Sequence, residues 1–102
     1  MNECSDVLYL RQACQFGGVY KTGNTSWIDG SFRWTCELQM RDNARLRQTH
    51  CHVAEYDRLI DSSTTIDCVE HLCERVCQDK LVYIRAPTPA QKDEVRSQAV
   101  NC

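Results

Sequence analysis

Phe32-Arg33-Trp34-Thr35-Cys36-Glu37-Leu38-Gln39-Met40 alternates without a break. Phe32, Trp34, Cys36, Leu38 and Met40 fall on one side, and Arg33, Thr35, Glu37 and Gln39 on the other. A period of two is the pattern of a strand with one buried face, so Trp34 is expected in the core. Arg41-Asp42-Asn43-Ala44 follows as a turn, because Asp and Asn bond their own backbone and tolerate tight conformations. Arg45 to Val53 then returns as the second strand of a hairpin. A shorter second hairpin is expected where Arg58-Leu59-Ile60 meets Thr64-Thr65-Ile66 across Asp61-Ser62-Ser63.

On either side of these hairpins the pattern is less decided. Ser5 to Gly18 reads equally as a helix capped by Ser5 and ended by Gly17-Gly18, or as a strand through Val7-Leu8-Tyr9-Leu10. Residues 69 to 80 are open between helix and strand. Val69, Leu72, Cys73 and Val76 fit one face of a helix, yet the β-prone run Leu81-Val82-Tyr83-Ile84 comes directly after. His71, at the edge of that possible helical face, is expected at the surface. Thr88-Pro89-Ala90-Gln91 has an N-cap, a proline at the first helical position and a capping-box glutamine. It predicts a polar helix over about 89–99.

The 102 residues allow one domain, with its core over about residues 4–84. Leu, Ile, Val and Phe together number 21 of 102, just above the roughly 20% below which chains tend not to fold unaided. The eight cysteines, Cys4, Cys14, Cys36, Cys51, Cys68, Cys73, Cys77 and Cys102, are therefore expected to be bridged. A bridge closing a loop of tens of residues contributes on the order of 3–4 kcal/mol in the chain-entropy model. Asn24-Thr25-Ser26 is an N-glycosylation sequon in a turn-like stretch, with Asn24 as acceptor. Bridges and sequon together predict a secreted, extracellular glycoprotein. No secretory leader opens the chain, which predicts a mature form with Met1 added for expression. No run of 18 apolar residues is present, so no membrane insertion is expected. The formal net charge of -2 argues against a general nucleic-acid binder.

Cys14, Tyr20-Lys21-Thr22-Gly23, Trp27 and Phe32-Arg33-Trp34-Thr35-Cys36 form a recurring rhythm of cysteine, Tyr-x-x-Gly turn, tryptophan and aromatic strand. It resembles the fibronectin type I and von Willebrand C group, closest to the repeats of nematode cell-migration matrix proteins. The match runs on through Cys51, Ile60 to Ile66 and Leu72-Cys73, and covers roughly residues 14 to 84. The resemblance implies a small β module for extracellular binding, a strand rather than a helix over 69–76, and a structural Trp27. It also implies that Cys14 pairs with Cys51 and Cys36 with Cys73.

His50-Cys51-His52 with Cys68, His71, Cys73 and Cys77 offers ligand types that suit tetrahedral zinc. The spacing fits no common finger and leaves the other four cysteines unexplained, so no metal or other cofactor is expected. With every thiol bridged and no serine beside a histidine, no catalytic residue and no enzyme are expected either. Charge is unevenly spread. From Arg33 to His52 four arginines meet Glu37 and Asp42, and from Val53 to Asp79 seven acids meet Arg58 and Arg75. Arg41, Arg45 and Arg47 are candidate contacts for an anionic glycan or acidic protein face, or else a solvated hairpin rim that blocks edge pairing. Trp27, in a polar turn, is a candidate binding anchor.

The expectation is a small disulfide-rich, mainly β fold with two hairpins and one or two short helices. It would serve as a non-enzymatic binding protein for another extracellular protein or a matrix component. Competing readings are a secreted effector (toxin, pheromone or immune modulator) acting on a receptor, and a protease inhibitor presenting residues 21 to 31 as a rigid loop.

Overall fold

A computed structural model describes residues 13–38 and 43–100. Cys4, Arg41 and Cys102 lie outside them, as does most of the ambiguous segment from Ser5 onward. Among the described residues nine strands form three small antiparallel sheets, accompanied by one α-helix. β1 (Ala13–Phe16) and β2 (Val19–Thr22) form a two-stranded hairpin across Gly17 and Gly18, both at positive φ. β3 (Thr25–Asp29), β4 (Phe32–Leu38), β5 (Ala44–Val53) and β6 (Arg58–Ile60) form a four-stranded sheet in that order. β7 (Thr64–Ile66), β8 (Val69–Cys77) and β9 (Lys80–Arg85) form a three-stranded sheet backed by helix α1 (Pro89–Val100). A 3-10 turn, Ala54–Tyr56, links β5 to β6.

The alternating stretch is β4, paired with β5 as expected, from Leu38↔Ala44 to Phe32↔Cys51. A bulge at Arg33/Trp34 skips Thr49, so that Trp34 faces Gln48 and Arg33 faces His50. The second expected hairpin is corrected. β6 and β7 both exist, but β6 pairs with β5 and β7 with β8. Asp61-Ser62-Ser63 is thus a crossing between sheets, and Ser63 Oγ accepts the Cys73 amide at 3.0 Å.

Residues 69–77 are strand. Helical spacing placed Leu72 and Cys73 on one face, whereas the strand turns them to opposite sides. Leu72 and Val76 pack on Val95 of α1, and Cys73 joins Cys51, Val53, Ile60, Ile66 and Leu81 in the main core. The strand also carries His71 inward. It is fully buried, with Nδ1 2.7 Å from the Tyr83 hydroxyl and its ring stacked on Tyr83, which corrects the surface expectation. The capping box forms as read: the Thr88 amide donates to Gln91 Oε1 at 2.9 Å and the Gln91 amide to Thr88 Oγ1 at 3.2 Å.

Two bridges join described cysteines, Cys14–Cys36 and Cys51–Cys73, not the Cys14–Cys51 and Cys36–Cys73 pairs that the resemblance implied. The register explains the difference. Cys14 sits on β1 over the β4 position of Cys36, while Cys51 looks from β5 across the core to Cys73 on β8. Cys77 is disulfide-bonded as well. Cys68, expected to be bridged, is an exposed free thiol. With Asp67 it makes the two-residue turn between β7 and β8, both residues at positive φ as a primed hairpin turn requires. That tip faces solvent, whereas the four cysteines of the two bridges above occupy strands. No helix among the described residues is long and apolar enough to cross a membrane.

Candidate functional site

The β1–β2 hairpin lies on the four-stranded sheet, and this decides the role of Trp27. Trp27 stands opposite Trp34 across the β3–β4 pair. Phe16 comes down on both, its ring 5.2 Å from Trp27 and 4.9 Å from Trp34, and Lys21 Nζ caps the Trp27 ring at 5.0 Å. Both tryptophans are half-buried, so Trp27 is a packing residue more than a free anchor. The exposed apolar side chains of this region are instead Val19, Tyr20 and Ile28, each about half exposed. Sequence reading passed over them, because short runs next to Gly17-Gly18 and Gly30 carry no sign of which face is covered.

Asn24 occupies the exposed β2–β3 turn at φ 65. Its amide donates to the Cys36 carbonyl at 2.6 Å, and Ser26 of the sequon pairs with the Thr35 hydroxyl at 2.8 Å. Residues 21 to 31, which an inhibitor would present as a loop, are largely strand, with Thr25 to Asp29 paired to β4. Strand pairing leaves no free extended loop there for a protease cleft. The zinc alternative meets a similar obstacle, since Cys51 and Cys73 are bonded to each other and offer no thiolate.

The opposite face of the four-stranded sheet is polar. Bearing outward are Ser26 and Ile28 of β3, Arg33, Thr35 and Glu37 of β4, and Arg45 and Arg47 of β5. Of the three sequence-predicted arginines, Arg45 and Arg47 are described, and each meets a carboxylate. Arg47 Nη1 lies 3.3 Å from Glu37 Oε2, and Arg45 Nη2 lies 2.7 Å from Asp79 Oδ1. Two further arginines complete the face. Arg33 Nη1 donates to Thr49 Oγ1 at 3.3 Å. Arg75, from β8, donates to the carbonyls of Gln78 at 2.9 Å and Gln48 at 3.0 Å. Partial burial holds the Arg75 pKa below its ordinary value, the like charge of Arg47 lowers it further, and the nearby Asp79 carboxylate opposes both. The strand alternation placed Arg33 on this face. Arg75 sits among acids in the sequence, and only the docking of β8–β9 on β5 reveals it.

That docking is specific. The Gln48 amide donates to the Asp79 carbonyl at 3.0 Å, and Gln48 Oε1 accepts the buried Leu81 amide at 2.6 Å. On the core side of the same joint, Trp34, Leu46, Gln48, Cys77 and Lys80 line an open, largely apolar cavity of about 630 Å³. The acidic stretch is dispersed into pairs: Glu55 with Arg85 at 2.6 Å, Glu70 with Lys92 at 2.7 Å, and Asp57 with His52 at 2.9 Å. Set beside protein-family models, curated proteins and solved structures, the chain matches none.

Proposed function

We propose that the chain is a secreted, non-enzymatic binding protein that recognises another protein or a matrix component through its bridged β scaffold. The observation that carries this is the Cys14–Cys36 bridge, which fixes an exposed hairpin over an aromatic trio. Tyr20 is presented there on the hairpin face away from Phe16, with Val19 exposed on the other, and both are ordered before any partner arrives. Association otherwise costs about 0.5–1.5 kcal/mol for each flexible side chain it immobilises, and a preformed hairpin avoids part of that. Tyrosine is enriched among the residues that dominate interface energies. The bridges suit an oxidising compartment, and Asn24 stands exposed where a glycan would be added there. The Tyr-x-x-Gly and aromatic-strand rhythm adds its resemblance to extracellular fibronectin type I-like modules, with the bridges paired differently.

The test is surface plasmon resonance of the oxidised protein against purified matrix proteins, receptor ectodomains and a panel of proteases. Saturable binding to a matrix protein or ectodomain is expected, weakened at least about tenfold by Tyr20→Ala. Turnover of a substrate, or binding that Tyr20→Ala and reduction of the disulfides leave unchanged, overturns the reading.

A further inference from the structure

We propose that the polar face carrying Arg33, Arg45, Arg47 and Arg75 binds a sulfated polysaccharide. This rests on the reading of the chain as an extracellular binding protein and names a partner for a second surface, on the side of the sheet away from Tyr20.

The face is built for anions in a chain that is acidic overall. Four guanidinium groups meet two carboxylates, Glu37 and Asp79, while the whole protein carries a formal net charge of -2. Two of the four, Arg33 and Arg75, make their observed bonds to hydroxyl, imidazole and carbonyl groups and none to a carboxylate, so neither is engaged in an ion pair. Arg75 is clamped by two backbone carbonyls at the seam between the sheets, one of them that of Gln48, next to Arg47. It is exposed, and two of its five N–H donors are used there. Donors held this way are fixed before a ligand arrives.

The geometry selects the ligand class. Arg45 and Arg47 are two residues apart on one strand, about 7 Å along it, and Arg33 lies on the neighbouring strand two residues beyond Thr35, the partner of Arg47, which extends the row diagonally. That array is longer than one small anion and suits a chain with repeated anionic groups. Guanidinium forks match sulfate oxygens in bidentate fashion and shed water more readily than ammonium does. The extracellular setting implied by the disulfides favours a sulfated glycan over a nucleic acid.

The experiment measures binding of a size-defined heparin oligosaccharide to the oxidised protein at 0.15 M salt, beside its fully desulfated counterpart and a single-stranded RNA of similar charge. Heparin should bind, with affinity falling as salt rises, and the desulfated chain should not. Arg33→Gln and Arg47→Gln should each weaken binding at least about tenfold. Glu37→Gln, which removes a competing carboxylate, should strengthen it. Circular dichroism of each variant checks that the sheet is intact. Should Arg75→Gln disturb the sheet seam, Arg33→Gln and Glu37→Gln alone decide the matter. Equal binding of the desulfated chain, tighter binding of RNA, or unaltered affinity in Arg33→Gln overturns the proposal. A protein partner that still depends on Tyr20 would then leave the broader binding reading standing, so the two failures are told apart.

Discussion

Cys14–Cys36 and Cys51–Cys73 each span a sequence separation of 22, yet they sit in unlike regions. The first holds a two-stranded hairpin on the outside of a sheet, where the packing partners are the rings of Phe16, Trp27 and Trp34. Both are buried, but the second lies inside the main cluster and ties the four-stranded sheet to the three-stranded one. Loop-closure entropy depends on loop length, so its contribution is about 3 kcal/mol for either. What distinguishes them is what lies around the sulfur. The same covalent tie orders a local presenting surface in one region and joins two halves of the molecule in the other.

The largest effect should therefore come from Cys51→Ala/Cys73→Ala. It loses the loop-closure contribution and leaves poorly filled space among Val53, Ile60, Ile66 and Leu81, a further cost of about 1–2 kcal/mol. Cys14→Ala/Cys36→Ala should cost less and act locally. Both tryptophans pack against Phe16 of the hairpin, and Trp34 also borders the joint between the sheets, so tryptophan emission reports mainly on the hairpin side. Releasing the hairpin should alter emission while amide exchange in β8 and β9 stays protected. Urea unfolding gives the order of stabilities. The comparison breaks if the two double variants lose equal stability, or if freeing the hairpin also strips protection from β8.

A smaller effect tests the joint itself. Gln48 is buried at 7% exposure in the middle of β5, and its Oε1 is the acceptor for the Leu81 amide. Gln48→Leu keeps much of the volume and leaves that buried N–H without its partner, at a cost of about 1–3 kcal/mol. Faster amide exchange at Leu81, with the hairpin around Trp27 unperturbed, would sharpen the division between halves. Unchanged exchange at Leu81 would mean that the bridge and the remaining Gln48, Arg75 and Arg45 contacts hold them together without this side chain.

The two regions also differ in how far the sequence foretold them. Phe32 to Leu38 wrote its own structure, because alternation on a half-covered strand is a local signal. Thr88 and Gln91 did the same for α1 through a reciprocal cap. Residues 69–77 did not. A strand buried on both sides has apolar residues at positions that also satisfy a helical period, and only the demand that Cys73 face Cys51 while Leu72 faces Val95 separates the two. Pairing was the least legible feature. β6 and β7 were each foreseen, but which neighbour a three-residue strand takes is set by distant segments. For the site, the alternation put Arg33 and the turn put Asn24 where they are found. Arg75 and the buried His71 required the fold.

The smallest expected effect concerns acid. The Arg85 guanidinium, bonding the Glu55 carboxylate at 2.6 Å, holds the Glu55 pKa below its ordinary 4.5 against an opposing push from burial. Because the folded value is the lower one, the ion pair's contribution is fully present above about pH 4.5 and is lost as pH falls through the depressed folded value. Both groups lie at the surface, where such pairs contribute little, so the global effect is slight. The ion pair nonetheless ties the 3-10 turn that carries Tyr56 to the end of β9. Lowering the pH through this range should shift the Arg85 Nε–H resonance and loosen that turn, and Glu55→Gln should flatten the response. Tryptophan emission should stay level throughout, since Trp27 and Trp34 belong to the other region. An emission change that tracks the Arg85 titration would show the two regions answering acid together, and the Cys14–Cys36 hairpin would no longer count as independent of the sheet behind it.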